Sequence, residues 1–553
     1  MTNYFCKENN FLVILNESII DILTDINTPR SLALAIALRY GEVCKELFDC
    51  SPFDYTASYN YQLDTQAIAL FKKSVYLKYD GDIKAEAVEH FVKVDGEIPK
   101  DSEDLPILED AGFVYECQRM ISSILGDLPD LSTLEVSMTS GTNASYNTSK
   151  STVADKLGRS IRVSPTAVNP LIEFLESAPA LKRVAMTHGI DIMSNQANGD
   201  NCPEFQVVPK QYNKGRGIVK THFGDMLLQR AYGLYMKKRL LKVGIDIQSA
   251  QDTHKFVLKH FHDSFATIDL SDASDRISTV LVKALLPHDW YYQLCKIRNR
   301  FVKLPDGSVH ELNKFMCQGC GFTFELETLL FYCIAMTAMR RAGQKPCALV
   351  FGDDTIVPDA SSSVVMQAYT SCGLVVNFNK SFSHSSFKES CGYDTFDGIP
   401  VRPLYIKDLG HEKVFAYIKL ANIIFRLARN LFGGLNNAVY CNRARNRIIR
   451  LFKDKYRYEV PVAAGDIAFI SDEVKPTYSS SGNFFRYFKR TYKRSDYKLP
   501  VKEEASESAY ILAGHSSRGD LVRFSKYDIT SARLYGFPST NRYWVTDVNL
   551  EDY

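Results

Sequence analysis

Hydrophobic and polar residues follow two different patterns along the chain. In the first 130 or so residues, apolar positions recur at the spacing of amphipathic helices over residues 18–25, 31–48, 65–76 and 110–125. From residue 205 onwards, short apolar runs rich in β-branched residues alternate with further helical stretches. This mixture predicts an α+β fold.

The second part of the chain contains two predicted acidic strand ends. The apolar run 264–270 predicts a strand that ends in Asp269, and a helical pattern opens directly after it. Two more apolar runs, 348–351 and 355–357, flank Gly352-Asp353-Asp354, which is the pattern of a tight β-hairpin with an acidic tip. The other predicted elements are helices over 225–243, up to about 339, over 361–372 and up to about 455, a strand over 375–382, and a further hairpin of strands 387–392 and 401–407.

The acidic residues predict a metal site. Adjacent carboxylates repel each other, so a divalent cation explains Asp353 and Asp354 better than stability does, although a solvated Gly-Asp turn is an ordinary alternative. Asp269 beside this hairpin would complete a cage of three carboxylates. Such oxygen ligands suit Mg²⁺ or Mn²⁺, and two such ions roughly 3.5–4 Å apart are a common device for phosphoryl transfer.

Several basic residues are candidates for phosphate contacts, each with a plain surface role as the alternative. The extended segment 205–220 contains two glycines and the cations Lys210, Lys214, Arg216 and Lys220, a set that suits a polyphosphate. Lys380 follows the second acidic site. Segment 484–494 interleaves aromatics with cations, which suits either stacking on nucleic-acid bases or a solvated basic face.

A glycine-containing loop precedes the helix that ends near residue 339. Gly319 and Gly321 leave backbone N–H groups that can face a nucleotide or a template strand. Cys317-x-x-Cys320 lies in the same loop, but one such pair without further ligands is weak evidence for zinc or redox chemistry.

Composition restricts the class of protein. The chain has 553 residues, 45% of them hydrophobic and 24% charged, with a net charge of +2, so any nucleic-acid contact must be local. We expect no signal peptide and no membrane span, since no apolar run approaches about 18 residues. Thirteen cysteines without a repeat predict reduced cytosolic thiols.

The order of these motifs resembles that of viral RNA-dependent RNA polymerases. The residues within the motifs most resemble those of the replicase catalytic (beta) subunit of positive-strand RNA bacteriophages, the levivirus group. The resemblance runs from about 205 to 407 and rests on four stretches: Ala266-Thr-Ile-Asp-Leu-Ser-x-Ala-Ser-Asp275, Gly321-Phe-Thr-Phe-Glu-Leu-Glu327, Gly352-Asp-Asp354 and Phe387-Lys-Glu-Ser-Cys-Gly392.

The resemblance implies a right-hand fold of fingers, palm and thumb and template-directed nucleotidyl transfer. It implies that Asp269, Asp353 and Asp354 hold Mg²⁺, with Mn²⁺ as a substitute, helped by the Leu270 carbonyl. Ser274 or Asp275 would sense the ribose, whose 2′-hydroxyl distinguishes RNA from DNA. The remaining implied contacts are Lys210, Lys214 and Arg216 with the triphosphate, the loop of Gly319, Gly321 and Thr323 with template and nucleotide, and Lys380 with the leaving pyrophosphate.

The same resemblance implies a domain division, partners and a location. The fingers and N-terminal region would span 1–260, the palm 261–408 with a finger insert at about 287–315, and the thumb and C-terminal region 409–553. The implied partners are RNA, NTPs, the host elongation factors Tu and Ts and a small-subunit ribosomal protein. The implied location is the cytoplasm of the infected bacterial host.

The chain departs from the family pattern at four places. Asp272 stands where a small residue is usual and adds a negative charge, which we expect to point away from the metals. Cys320 replaces an asparagine, so a role in nucleotide selection is not carried over to it. Lys214 is displaced by one position, with Asn213 at the usual place, and Phe351 replaces a tyrosine whose ring serves packing.

Two other functions remain open. A reverse transcriptase shares an Asp-Asp hairpin, but residues 271–274 offer short side chains rather than a bulky gate against the 2′-hydroxyl. A non-catalytic RNA-binding protein would use the same basic surfaces. Preference for ribonucleotides tests the first alternative, and loss of activity in Asp353→Asn tests the second.

Overall fold

The computed structural model describes residues 4–6, 10–77, 79–135, 157–193, 202–410, 412–474, 477–479, 482–493 and 526–535. Helices and short sheets alternate along these residues, which confirms the α+β class. The α-helices are α1 (Phe11–Ile26), α2 (Pro29–Tyr40), α3 (Ser58–Lys72), α4 (Ile83–Gly96), α5 (Ala111–Leu125), α6 (Val168–Glu176), α7 (Pro179–His188), α8 (Phe223–Lys242), α9 (Ala250–His260), α10 (Thr279–Leu285), α11 (His288–Ile297), α12 (Thr323–Arg341), α13 (Ser362–Ser371), α14 (Lys413–Phe432) and α15 (Val439–Leu451).

The strands form several small sheets. They are β1 (Ile161–Val163), β2 (Ile190–Ile192), β3 (Glu204–Gln211), β4 (Lys214–Lys220), β5 (Phe265–Ile268), β6 (Leu270–Ser271), β7 (Phe301–Lys303), β8 (Val309–Glu311), β9 (Leu349–Phe351), β10 (Asp354–Pro358), β11 (Val375–Val376), β12 (Phe387–Ser390), β13 (Tyr393–Phe396), β14 (Ile399–Pro400), β15 (Glu459–Val460), β16 (Phe469–Ile470), β17 (Thr477–Ser479), β18 (Gly482–Lys493) and β19 (Lys526–Tyr535). The strand orders are β1-β2, β5-β10-β9, β11-β6, β12-β13-β14, β15-β16, β17-β18-β19 and β4-β3-β7-β8.

The sheet β5-β10-β9 is covered by helices on both faces. Successive side chains of a strand point to opposite faces, and Ile268 and Val357 belong to a core cluster with residues of α12 and α13. Ile356 packs on the other face against Leu258 of α9. Burial on both faces explains why these strands read as short continuous apolar runs.

The N-terminal helices share a core with the helices near the end of the chain. Apolar residues of α1, α2 and α3 cluster with those of α14 and α15. Asp21, which is almost fully buried on α1, accepts hydrogen bonds from Arg443 and Arg447 of α15. These contacts tie together parts of the chain more than 400 positions apart in the sequence.

Several predicted boundaries need correction. The helix predicted over 31–48 ends at Tyr40, because Gly41 adopts a left-handed φ of 74° and caps it. The strand predicted over 375–382 is limited to Val375–Val376, so Lys380 lies in a turn. The extended segment 205–220 is a hairpin of β3 and β4.

The second predicted hairpin has a different return strand. The partner of β12 is β13, and residues 401–407 form no strand. Cys391 and Gly392 both have positive φ, 52° and 75°, so the chain reverses in a two-residue turn immediately after Ser390.

Candidate active site

Two of the predicted metal carboxylates come together at one end of the sheet β5-β10-β9. Asp269 directly follows β5, and Asp354 begins β10. The antiparallel register pairs Ile268 with Thr355, so the residues next to this pair, Asp269 and Asp354, lie at the same edge. Asp353 lies in the turn between β9 and β10.

The tip of this hairpin rests on α12. Gly352 adopts a φ of 62°, and a Cβ there would lie 2.4 Å from the Phe324 ring, so glycine is required. Its N–H donates to Thr328 Oγ1 at 2.9 Å. Phe351 packs edge-on against Phe324 with ring centroids 4.7 Å apart. The ring at this departure from the family pattern therefore serves packing, as expected.

Asp269 is held by residues of the turn after β11. Asn377 Nδ2 donates to its Oδ2 at 2.9 Å, and its backbone N–H donates to Ser381 Oγ at 3.1 Å. Lys380 Nζ lies 3.9 Å from the same Oδ2. The sequence predicted Lys380 near this site, and the structure brings it into contact with the carboxylate.

The carboxylates at this edge of the sheet have raised pKa values. Burial and then the charge of Asp353 raise the pKa of Asp354 to about 7. Burial also raises the pKa of Asp269 above its ordinary value, although Lys380 opposes the shift. Glu327 on α12 is buried, its Oε1 accepts no hydrogen bond from the part of the chain that the structure describes, and burial together with the charge of Asp353 raises its pKa well above the usual range.

Glu327 was part of a motif quoted from the sequence, but no role was predicted for it. In the sequence, Glu327 looks like an ordinary polar residue on one face of an amphipathic helix. The neighbouring carboxylates Asp275, Asp353 and Asp354 become visible when the helix is packed against the hairpin. Distances in space, which spacing along the chain does not give, make it part of the acidic site.

The donor set fits a divalent cation, but its predicted cage is not preformed. Among the residues that the structure describes, no three His, Cys, Asp or Glu side chains are grouped so that they could hold a metal ion. Carboxylates whose pKa values are raised by burial and by mutual repulsion are nevertheless the kind of oxygen donors that Mg²⁺ or Mn²⁺ neutralises. The complete ligand set, including the Leu270 carbonyl on β6, stays a prediction.

Four of the predicted cations lie on the β3-β4 hairpin, and one of them, Lys210, lies near the acidic turn. The register of the hairpin shifts between Pro209 and Gln211, so Lys210 lies at an irregularity of the strand. Partial desolvation and then the nearby cations Arg216 and Lys380 lower the pKa of Lys210, whereas Asp353 raises it. Lys210 therefore lies within electrostatic reach of the acidic turn. Lys214 and Arg216 are exposed on β4.

The glycines of this hairpin have a packing reason. A Cβ on Gly215 would lie 2.2 Å from Val207 and 3.0 Å from Ile83 of α4, and a Cβ on Gly217 would lie 2.5 Å from the Phe205 ring. These close approaches let α4 and the hairpin pack directly together. The expectation that the glycines make room for a polyphosphate is not needed to explain them.

The predicted glycine loop packs between β4 and α8. Gly319 has a φ of 106°, and a Cβ there would lie 2.3 Å from the Val219 carbonyl oxygen. The N–H of Gly321 donates to Gln229 Oε1 at 3.0 Å. Thr323 donates to the Cys317 carbonyl at 2.9 Å, within the loop itself. The loop is therefore held in a defined shape beside α12, and its contacts with template and nucleotide stay a prediction.

The cysteines of this loop are core residues. Cys317 and Cys320 are buried, and burial raises the pKa of Cys320 to about 12. A thiol with such a pKa is inert at neutral pH. The weak zinc or redox interpretation of this pair gains no support from their surroundings.

Helix α4 contacts the turn that follows Asp269, a role that the sequence did not reveal. His90 Nε2 lies 3.0 Å from Asp272 Oδ1, so the extra charge of Asp272 has a partner on α4. Glu97, just after α4, accepts from Arg276 Nη2 at 2.7 Å. The turn is a short 3-10 helix, Ala273–Arg276, in which Ser274 is buried.

Asp275, the predicted ribose contact, is paired in the structure. Lys314 Nζ donates to Asp275 Oδ1 at 2.9 Å. Lys314 precedes the glycine loop, and nothing in its sequence context distinguishes it from a surface lysine. Its burial is a property of the packed structure.

A family model described as the beta-chain of RNA replicase matches residues 79–437, well over half of the chain. The match includes α4, the basic hairpin, both acidic strands and the glycine loop. The chain belongs to the RNA replicase beta-chain family. The predicted resemblance is thereby confirmed, and it begins earlier in the chain than the motifs alone indicated.

Individual relatives of this replicase family are phage proteins. The RNA-directed RNA polymerase subunit beta of Escherichia virus Qbeta is 27% identical over 497 residues, which cover 84% of this chain and 80% of that protein. The RNA-directed RNA polymerase beta chain of Escherichia phage MS2 is 35% identical over 216 residues, 39% of either chain. That of Enterobacteria phage GA is 36% identical over 201 residues, 36% of this chain and 38% of its own.

Solved structures also match the chain, at low similarity. The RNA-dependent RNA polymerase of a human picobirnavirus is 12% identical, with a TM-score of 0.39, over 68% of this chain and 86% of its own. TM-scores at this level transfer no structural detail. Separately, none of the described helices is both long enough and apolar enough to cross a bilayer.

Proposed function

We propose that the chain copies a viral single-stranded RNA by nucleotidyl transfer from NTPs to a 3′-hydroxyl, with release of pyrophosphate and with two divalent cations in the acidic site. As a member of the replicase beta-chain family, it is an RNA-directed RNA polymerase. The observation that carries the proposal is the meeting of Asp269 and Asp354 at one sheet edge, with Lys210 of the basic hairpin within electrostatic reach of Asp353.

The divalent cations would supply Lewis-acid activation of the attacking hydroxyl and stabilise the leaving oxygen. The residues proposed to hold them are Asp269, Asp353 and Asp354, with the Leu270 carbonyl. Burial, and after it the charge of Asp353, raise the pKa values of Asp354 and Asp269, and a bound cation would relieve this repulsion. Asn377 and Ser381 would keep Asp269 oriented while its carboxylate binds the cation.

The cations of the chain are proposed to bind the triphosphate. Lys210, Lys214 and Arg216 would hold its phosphates from the β3-β4 hairpin, and Lys380 would neutralise the leaving pyrophosphate. The exposed ammonium of Lys380, 3.9 Å from Asp269 Oδ2, supports this role. An incoming triphosphate offers this lysine a stronger anionic partner.

The remaining contacts concern the sugar and the template. Ser274 and Asp275 are proposed to recognise the ribose, because they follow Asp269 on one short turn. The loop of Gly319, Gly321 and Thr323 is proposed to position template and nucleotide, since it leads directly into α12, which supports the acidic hairpin.

The domain organisation and the partners are proposed on the same grounds. We propose the right-hand arrangement with fingers and N-terminal region over 1–260, palm over 261–408 and thumb and C-terminal region over 409–553. The relatives are named as beta chains or beta subunits, a designation of one component of an assembly. Host elongation factors Tu and Ts and a small-subunit ribosomal protein are the proposed companions, in the cytoplasm of the infected bacterium.

The test is RNA-templated synthesis by the purified chain in Mg²⁺, with and without host cell extract. We expect Asp269→Asn and Asp353→Asn to lose at least about 100-fold of the rate, the scale of losing one electrostatic stabiliser of a transition state. RNA binding should persist in both variants. The matched control is Asp263→Asn, because Asp263 is an exposed carboxylate just before β5.

Three outcomes would contradict the proposal in different ways. Full synthesis by both variants would remove the metal site from these carboxylates. RNA binding without synthesis in every condition would favour a binding protein. Preferred incorporation of deoxynucleotides would favour a reverse transcriptase.

A further inference from the structure

Lys314 is a buried lysine beside the turn that follows Asp269. Its side chain is fully excluded from solvent, and its Nζ donates to Asp275 Oδ1 at 2.9 Å. The same ammonium lies 3.6 Å from the centroid of the Phe91 ring of α4, which is a cation-π distance. Lys314 therefore joins α4 to the proposed ribose-sensing turn.

The burial of this charge calls for an explanation other than stability. Desolvating an ammonium costs several kcal/mol, and replacing a buried ion pair with apolar side chains of similar volume is often neutral or stabilising. The surroundings are apolar enough for such a replacement, since Phe91 packs with Phe205, Val219 and Leu312 in one cluster. Stability alone is therefore a poor explanation of a buried charge at this place.

The backbone at Lys314 is fixed by a second buried charge. Asp95 near the end of α4 is fully buried, and its Oδ1 accepts the N–H of Lys314 at 3.1 Å. Its Oδ2 accepts the N–H of Asn313 at 3.1 Å and lies 2.8 Å from His310 Nε2. Lys314 is thus held at its backbone by Asp95 and at its ring contact by Phe91, both on the same helix.

These contacts of Lys314 restrict the orientation of the Asp275 carboxylate. One of its oxygens, Oδ1, is engaged by Lys314, which limits rotation of the carboxylate. Among the described residues, no group donates to the other oxygen, Oδ2. A carboxylate fixed in this way presents one acceptor in a defined direction, and a ribose 2′-hydroxyl is a donor that fits it.

We propose that Lys314 is a positioning residue that orients Asp275 to accept the 2′-hydroxyl of the incoming nucleotide, and thereby sets the preference for ribonucleotides. The proposal rests on the polymerase function and on the ribose role of Asp275. A site with a charged acceptor discriminates strongly against a substrate that lacks the donor, because the acceptor is then left unpaired.

The experiment compares kcat/KM for an NTP and for the matching dNTP on one RNA template-primer in Mg²⁺. The variants are Lys314→Met, which removes the charge at similar length, and Lys314→Arg, which retains a cation. The matched control is Arg300→Gln in the same segment, because Arg300 forms an exposed ion pair with Glu311. RNA affinity and the thermal midpoint are measured for each protein.

We expect Lys314→Met to lower the NTP-over-dNTP ratio by roughly 10- to 100-fold, the effect of losing one charge-assisted hydrogen bond. The fall should come from kcat/KM for the NTP, whereas that for the dNTP stays nearly constant. Lys314→Arg should retain more of the ratio than Lys314→Met, and Arg300→Gln should match the wild type. A merely structural pair would lower both substrates equally and leave the ratio unchanged.

A second variant covers the case in which Lys314→Met is inactive. Asp95→Asn keeps the shape at the end of α4 and weakens the backbone anchor, so a smaller fall in the same ratio is expected. An unchanged ratio in Asp95→Asn would then overturn the proposal. If the wild type itself makes no RNA in any condition, the polymerase function fails first and this proposal fails with it.

Discussion

At the scale of single residues, the structure gives partners to charges that the sequence left unexplained. Asp272 adopts a left-handed φ of 51°, a conformation that aspartate and asparagine tolerate better than most residues. This backbone directs its carboxylate to His90, 3.0 Å away. The departure from a small residue is therefore accommodated by α4, and its charge also reaches Lys210.

The glycine loop leads to a prediction at a single position. Gly319→Ala should destabilise the protein more than Gly343→Ala does, because both have positive φ but only the first Cβ meets backbone, the Val219 carbonyl oxygen at 2.3 Å. We expect about 1 kcal/mol for Gly343→Ala from its φ, and a further 1–3 kcal/mol, roughly, for Gly319→Ala from the clash. Thermal unfolding midpoints measure the difference.

Gly343→Ala is the control, because its φ is 69° and no atom of the described residues lies within 4 Å of its Cβ position. RNA synthesis should fall in Gly319→Ala and persist in Gly343→Ala, since the first displaces the loop from β4. Equal midpoints for the two variants would show that the loop yields without cost and that its shape is not fixed by Val219.

At the scale of elements, α4 connects three parts of the site. It packs on the β3-β4 hairpin through Gly215, contacts the turn after Asp269 through His90, and anchors the segment before the glycine loop through Asp95. The proposed triphosphate, ribose and template contacts therefore share one support. A small change in α4 is expected to affect all three.

Asp95 gives this support a pH dependence. Burial opposes its ionisation, but donors from His310 and from the N–H groups of Asn313 and Lys314 outweigh burial and hold the pKa of Asp95 below its ordinary value. A depressed native pKa stabilises the fold above the unfolded pKa of about 3.9, and this contribution is lost as the pH falls through the native value.

We therefore expect Asp95→Asn to cost about 2–4 kcal/mol at neutral pH, the range for weakening a buried charged hydrogen-bond acceptor. The gap between the wild type and the variant should narrow as the pH falls below about 4. Thermal midpoints across a pH series measure it, with Asp263→Asn as an exposed control. A gap that widens in acid would contradict the assigned sign.

At the scale of the whole molecule, the acidic edge predicts a metal effect on stability. Mg²⁺ that binds the native carboxylates and not the unfolded chain should raise the thermal midpoint. The free energy of unfolding should increase by about 2.7 kcal/mol when free Mg²⁺ is about 100 times Kd. Asp354→Asn should show a smaller increment. Without Mg²⁺ the variant should be at least as stable as the wild type, because one source of carboxylate repulsion is gone.

Thermal scans with Mg²⁺ and with a chelator measure this effect without any need for activity. The same series with Na⁺ at matched ionic strength separates specific binding from screening. An identical Mg²⁺ increment in Asp354→Asn and in the wild type would place the cation elsewhere on the protein.

The packing of the N-terminal helices also belongs to the scale of the whole molecule. The core of α1, α2 and α3 is completed by α14 and α15, and buried Asp21 is paired with arginines of α15. Helices whose apolar faces are buried against distant parts of the chain are not stable alone. The N-terminal helices, for which the sequence offered no motif, therefore belong structurally with α14 and α15.

The sequence by itself did not predict α4, but it determined the α+β class, the two acidic strand ends, several other helices and the family. These features are local: periodicity, turn residues and motif order are written in neighbouring positions. The predictions that went wrong were boundaries, such as the strands over 375–382 and 401–407. A strand ends where its partner ends or where a turn forms, and the pairing is not visible in its own residues.

The tertiary structure alone decided which side chains meet. His90 reaches Asp272 across 182 positions, Asp95 reaches Lys314 across 219, and Glu327 joins the acidic hairpin through the packing of α12. Such contacts depend on how elements pack, and packing brings together residues whose spacing in the chain carries no signal. Burial likewise turns Lys314 from an unremarkable lysine into a candidate for setting substrate preference, because a charge acquires its energetic weight only when the fold removes it from water.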